Sequence, residues 1–423
     1  MNRFIGMCLI AAVAVAFPGC GKTSKEEAQA TVNTPAAGTP AKAALFKDDL
    51  AFLQAQTGVA VLTGPDGLAM VAVNPDLQGR VMTSTAGGPE GTSFGWINRE
   101  LLASKINNPH MNAFGGEDRF WLGPEGGQFS IFFKSGDPFD LDHWYTPVPV
   151  NEGAFSVIEQ TPARLVMGKK MRLENYSKTV FSLDVVRTVF LAGAGELAPL
   201  GIDLPAGVRM VGFGSENKVT NTGLEAWRKE TGLLSIWILG MFNPSPDLTI
   251  VVPYEAGPEA ERGPIVNDAY FGKVPADRLI VADKVLYFKG DGLFRSKIGL
   301  SPKRVKNIAG SYDAATKTLT LVTFLLPAGA SDYVNSMWEI QKNPFAGDVV
   351  NSYNDGPASP GAKPLGPFYE LETSSPALAL GPGETGIHRH LTFHFQGDES
   401  ALDGIARKAL GVGLEEIKGA FKK

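Results

Sequence analysis

The segment FYELETSSPALALGPGETGIHRHLTFHFQ, Phe368–Gln396, decides the fold. It reads as two strands joined by the turn Gly381-Pro382-Gly383. Successive side chains of a strand point to opposite faces. In the second strand His388, His390, Thr392, His394 and Gln396 therefore share one side, and Ile387, Leu391, Phe393 and Phe395 the other, with Arg389 out of pattern. The odd side is a core face. The even side is a polar ladder holding three of the chain's five histidines. Such a ladder faces solvent, a ligand cleft or a metal. His388 and His390 have the i, i+2 spacing of a strand metal site, so a divalent metal there is one alternative, while the expectation is no cofactor. The rise of ~3.3 Å per residue puts His394 about 20 Å from His388, too far to share one ion.

Outward from this segment, short β-rich runs recur, among them Val59–Thr63, Gln128–Phe133, Thr179–Phe190, Leu233–Leu239 and Leu319–Leu326, separated by Gly/Pro/Asp turns. Only Phe46–Gln56, Asn98–Ser104 and Ser400–Lys422 read as helical, the last with Ser400 as N-cap and broken by Gly411 and Gly413. Many strands and few helices give an all-β fold: one large sandwich with a short C-terminal helical tail.

Of the 423 residues 44% are hydrophobic, enough for a sizeable core. A net charge of -5 with no basic stripe argues against nucleic acid as a partner. The two cysteines, Cys8 and Cys20, both precede the folded part, so cysteine nucleophiles and cysteine metal sites are excluded from it. Residues 1–19 have a short basic start and an apolar run, Ile5–Phe17, too short to span a bilayer. With Gly19-Cys20 they resemble a bacterial lipoprotein signal, which implies lipidation of Cys20 and a membrane anchor. Gly21 in place of an aspartate favours the outer membrane within the cell envelope. Residues 20–45 read as a disordered tether, and 46–423 as a single domain with C-terminal helices over 400–422.

Three segments, in order along the chain, resemble the galactose mutarotase (aldose 1-epimerase) superfamily: Val71–Met82 with its Gly79-Arg80 turn, Ala113–Gly127 with Gly115-Gly116, and Leu371-Glu372-Thr373 followed by Gly381–Glu384. The motifs Ser235–Trp237, Trp338–Gln341 and Asn351–Gly356 are similar to an uncharacterised family of bacterial lipoproteins. The resemblance implies a large antiparallel β-supersandwich that binds, and in its catalytic members isomerises, a sugar. Ring opening requires a base for the anomeric hydroxyl and an acid for the ring oxygen. Carried over, Glu372 is the base. Phe114 stands where mutarotases have a histidine, which leaves His110 or His143 for the acid and puts epimerase activity in question.

The cluster Glu117, Asp118, Arg119, Trp121 and Glu125 combines carboxylates, a guanidinium and an indole in a Gly-rich stretch. A flat apolar ring with polar partners suits a sugar, and glycines let backbone approach a ligand. Trp338, Asn354 and Asp355 are candidates for a second wall, with His388 and His390 as further ligand contacts. The competing reading is a non-catalytic glycan-binding or structural envelope protein in which these charges brace the fold.

Overall fold

Strand Thr385–Gln396 lies inside a ten-stranded antiparallel sheet, between Thr318–Phe324 and Arg209–Asn221. The computed structural model describes residues 44–422. The remaining strands of this sheet are, to one side, Ile308–Asp313, Leu248–Pro253, Val285–Lys289 and Leu279–Ala282, and to the other Val180–Ala192, Arg164–Glu174 and Ser156–Thr161. A five-stranded antiparallel sheet runs Ser296–Leu300, Val350–Asn354, Tyr369–Ser374, Ser235–Phe242 and Arg119–Gly123. A three-stranded sheet, Ala60–Thr63, Met70–Asn74 and Arg80–Thr85, completes those formed by the described residues. The fold is a large, mainly antiparallel β-sandwich with short helices at the C-terminus.

From His390 to Gln396 the closing strand is buried on both faces, which its alternation alone does not reveal. Leu391, Phe393 and Phe395 pack beneath the helices Glu399–Leu410 and Leu414–Gly419, against Leu402, Ile405, Ala406, Leu410, Leu414 and Ile417. Asp398, not Ser400, occupies the N-cap position, and Gly411 ends the first helix with φ 77°, a left-handed turn that suits glycine. The histidine face turns inward, toward the five-stranded sheet. Thr373 Oγ1 lies 2.9 Å from both His388 Nε2 and His390 Nδ1. Its one proton serves one ring and its lone pair accepts from the other. His394 lies 2.6 Å from Glu117 and 2.9 Å from Thr320. The ladder therefore joins the two sheets and is neither a solvent face nor a cleft wall. Burial pushes His388 down to about 3 and His390 down to about 4, keeping both neutral.

Helix Phe46–Gln56 forms as read, and Asn98 caps Arg99–Ser104 through its side chain. Gln128–Phe133 is a buried irregular segment, not a strand; Ser130 Oγ donates to Glu125 O and accepts from Phe132 N. No described helix is long and apolar enough to cross a membrane. The signal, Cys20 and the tether up to residue 43 lie outside the described residues.

Candidate functional site

The five-stranded sheet divides its residues by parity. Arg119 stands opposite Leu239, Leu239 opposite Glu372, and Glu372 opposite Asn351. Two residues along, Met241, Glu370, Tyr353 and Lys297 form a second row; two residues the other way, Trp121 meets Trp237. Residues directly opposite share a face, as do residues two apart. One face thus carries charges and indoles. The other carries Ile236, Ile238, Ile298, Leu300, Leu371 and Thr373 and packs toward the large sheet.

Above the polar face lies a cavity of about 310 Å³. Its floor is Arg119, Trp121, Trp237, Leu239, Met241, Lys297, Tyr353 and Glu370; its walls include His110, Glu125, Trp144, Phe271, Arg295, Trp338 and Asp355. This volume is at the small end of the ~300–1,000 Å³ common for small-molecule sites. Trp121, Trp144, Trp237 and Trp338 supply broad apolar surface. Trp121 meets Trp237 edge-on at 5.4 Å, and Trp144 stacks over Trp338 at 6.1 Å.

The charges on the floor are paired. Arg119 Nη2 donates to Glu370 Oε1 at 3.0 Å, and its guanidinium lies 4.3 Å from the Trp121 ring. Lys297 Nζ and Trp237 Nε1 both donate to Glu372 Oε2, each at 2.9 Å. Burial pushes Glu370 up to about 8 against the opposing pull of Arg119, with Glu372 adding to the rise. Burial also acts to lower Lys297, but Glu372 and Glu125 outweigh it and raise it. Burial among the apolar walls raises the half-buried Glu125. Three donors of this site, Arg119 Nε, Trp121 Nε1 and Trp144 Nε1, are buried with no partner among the described residues. An unpaired buried donor costs about 1–3 kcal/mol, which a ligand acceptor would recover.

Of the residues expected from sequence, His110, Arg119, Trp121, Glu125, Trp338 and Asp355 converge on this cavity. His110 Nδ1 lies 2.6 Å from the Trp144 carbonyl. A carbonyl only accepts, so Nδ1 carries the proton, and Nε2 makes no hydrogen bond among the described residues. Asp355 accepts from Tyr353 Oη and Gly366 N.

The other candidates lie elsewhere. Glu372 faces the cavity side but is fully enclosed beneath Lys297 and Trp237. His143 is on the surface, paired with Asp140, whose carboxylate raises it. Glu117 binds His394 and Ser84 between the sheets, and Asp118 binds Arg187 at 2.6 Å in the core; both brace the fold. Asn354 anchors the loop before Ser296, accepting from Gly292 N and donating to Phe294 O. His388 and His390 are spent on Thr373. The cluster read as a ligand loop is in part an edge strand, Arg119–Gly123. Gly115 and Gly116 approach backbone rather than a ligand: with φ of 95° and 110°, a Cβ on either would meet Trp96 O at 2.0 Å or Val81 O at 2.9 Å.

Glu370, Lys297, Trp237, Trp144 and Arg295 were not among the expected contacts. Glu370 had a usable signal, since it lies two residues from Glu372 and so shares its face. Lys297 and Arg295 reach the site through a register no local pattern encodes.

Fold and cavity together define a large antiparallel β-sandwich protein with an aromatic, charge-paired pocket on its smaller sheet. The chain belongs to the family of unknown function DUF6786, whose model matches residues 44–421. No curated protein matches it. Among solved structures it is similar to a provisionally assigned aldose 1-epimerase from Escherichia coli K12, at 13% identity and a TM-score of 0.47, covering 81% of this chain and 99% of that one. It is similar also to the Slr1438 protein of Synechocystis sp. PCC 6803, at 13% identity and TM-score 0.45, covering 81% and 96%. A galactose mutarotase-like protein from Lactobacillus casei ATCC 334 matches at 11% identity and TM-score 0.43, covering 80% and 100%. None of these likenesses bears on what occupies the cavity.

Proposed function

We propose that this is an exported protein, lipid-anchored through Cys20 in the outer membrane of the envelope, that binds a carbohydrate in the cavity on its five-stranded sheet. The observation that carries the ligand class is the composition of the cavity: four indoles surrounding two buried cation–carboxyl contacts, with orphaned donors on Arg119, Trp121 and Trp144. A sugar offers the complement, an apolar C–H face for the rings and hydroxyl oxygens for the donors. Export and anchoring rest on the leader sequence ending in Gly19-Cys20.

The test is a thermal-shift screen of the purified protein against mono- and disaccharides and sugar acids, since a ligand of the native state raises the melting point by mass action. A sugar that shifts wild type but neither Trp338→Ala nor Trp144→Ala supports the reading. No shift with any sugar rejects it.

A second reading, anomer interconversion, is favoured by the presence of Glu370 and His110 in one cavity. Glu370 then takes the anomeric proton in place of the enclosed Glu372, and His110, in its doubly protonated form, gives the proton on Nε2 to the ring oxygen. Glu370, held up at about 8, works only when deprotonated and His110 only when protonated, so turnover followed by NMR passes through a maximum with pH and falls on both sides of it. Glu370→Gln abolishes it. Binding without interconversion in wild type leaves a binding protein.

A further inference from the structure

We infer that the ligand is anionic: a sugar bearing a carboxylate, sulfate or phosphate, its charged group seated on Arg295. The inference rests on the carbohydrate reading of the cavity and narrows it. On the floor, Arg119 answers Glu370 and Lys297 answers Glu372, and both Asp355 oxygens are engaged by Tyr353 Oη and Gly366 N. Arg295 is different. It lines the cavity with no hydrogen bond or ion pair through its guanidinium among the described residues, its Cζ 3.7 Å from the centre of the Phe271 ring. Phe271 is in turn held edge-on by Tyr353 at 5.9 Å. A guanidinium held over a ring by its Cζ leaves N–H groups free at its edge, and that edge matches two oxygens of a carboxylate, sulfate or phosphate. The backbone beneath is fixed: a Cβ on Gly356 would meet Arg295 N at 2.4 Å, so the turn after Asp355 packs directly on it. Exposed Lys363 adds a second unpaired cation at the rim. On the acidic side stand exposed Asp142, half-buried Glu125 and Asp355; Arg295 pulls against the burial-driven rise of the last two, but none of the three is within ion-pair distance of it.

The experiment is calorimetric titration of the full-length protein with galactose, glucose and mannose, and with their uronic acids, 6-sulfates and 6-phosphates, at low and high salt. At least one anionic form binds about tenfold or more tighter than its neutral parent, and the preference shrinks with salt. Arg295→Gln removes most of that preference, and Lys363→Gln a smaller part. Which anion gains most separates uronates from sulfated and phosphorylated sugars. Equal affinity for neutral and anionic forms overturns the inference and leaves the sugar site standing. A preference that survives Arg295→Gln also overturns it. Inorganic sulfate or phosphate binding as tightly as the sugar esters reduces the site to a plain anion pocket. No binding by any sugar removes the carbohydrate reading along with it.

Discussion

The pair Lys297–Glu372 is the tightest electrostatic commitment at the cavity. Glu372 is fully enclosed, and among the described residues its bonded oxygen has only Lys297 and Trp237 as partners. Removing one member of a buried pair costs about 3–5 kcal/mol, because the other is left charged in a poor solvent. Lys297→Met is therefore expected to lower denaturant stability by that amount. Lys297→Met with Glu372→Gln recovers most of the loss. A double variant no more stable than the single one would mean that Lys297 contributes by packing on Trp237 instead. Six expected residues do reach the cavity, because indoles, guanidinium and carboxylates crowded near Gly115-Gly116 and around Trp338 and Asp355 are legible as chemistry. Glu117 and Asp118 stand beside Arg119 in the same charged cluster, but both precede the strand Arg119–Gly123 and are turned into the core. Nothing local separates a carboxylate that meets Arg187 across 69 residues from one that meets a ligand.

At the scale of the element, the closing strand shows what alternation can and cannot tell. The polar–apolar pattern of Ile387–Gln396 gave the strand and its two faces correctly. It could not tell that both faces are buried, because the layer beyond each is set by distant chain: Thr373 on one side, Leu402 to Ile417 on the other. Two measurable consequences follow. The folded-state pKa values of His388 and His390 are depressed below the ordinary 6.5, so between pH 6.5 and about 4 the unfolded chain binds protons that the folded chain refuses. Stability from the neutral ladder is complete above pH 6.5 and falls on acidification, with a slope approaching about 1.4 kcal/mol per pH unit per histidine inside that window. His390→Gln is expected to flatten the melting-temperature profile there; an unchanged profile would contradict a buried neutral His388–His390 pair. On the opposite face, Leu402 is fully buried against Leu391, Phe393 and Phe395. Leu402→Ala is expected to cost about 2–5 kcal/mol in chemical denaturation, whereas a loss near zero would show that the helix is only loosely docked.

Over the whole molecule, strand-rich composition and sparse helices were enough for the class of fold, since turn residues punctuate the runs and the two helical ends are amphipathic. The division into sheets was not legible, because neighbours such as Arg119–Gly123 and Ser235–Phe242 are separated by more than a hundred residues and either could pair elsewhere. The leader belongs to this scale too. Cys20→Ser is expected to move the protein from the membrane fraction of the producing bacterium to the soluble envelope fraction, followed by immunoblot. Retention in the membrane would sink the anchor.

Arg119 and Glu370 meet across 251 residues. A chain still being synthesised carries three of the four indoles and the Arg119 guanidinium more than a hundred residues before Glu370 and Glu372. Contacts this distant in sequence form late and slowly. Until the last strands arrive, Arg119 and Lys297 have no partners, and half a pocket is exposed aromatic surface. Ligand capture is therefore reserved for finished chains, and the nascent protein has most to gain from a chaperone in the interval before residue 372 is free to pair.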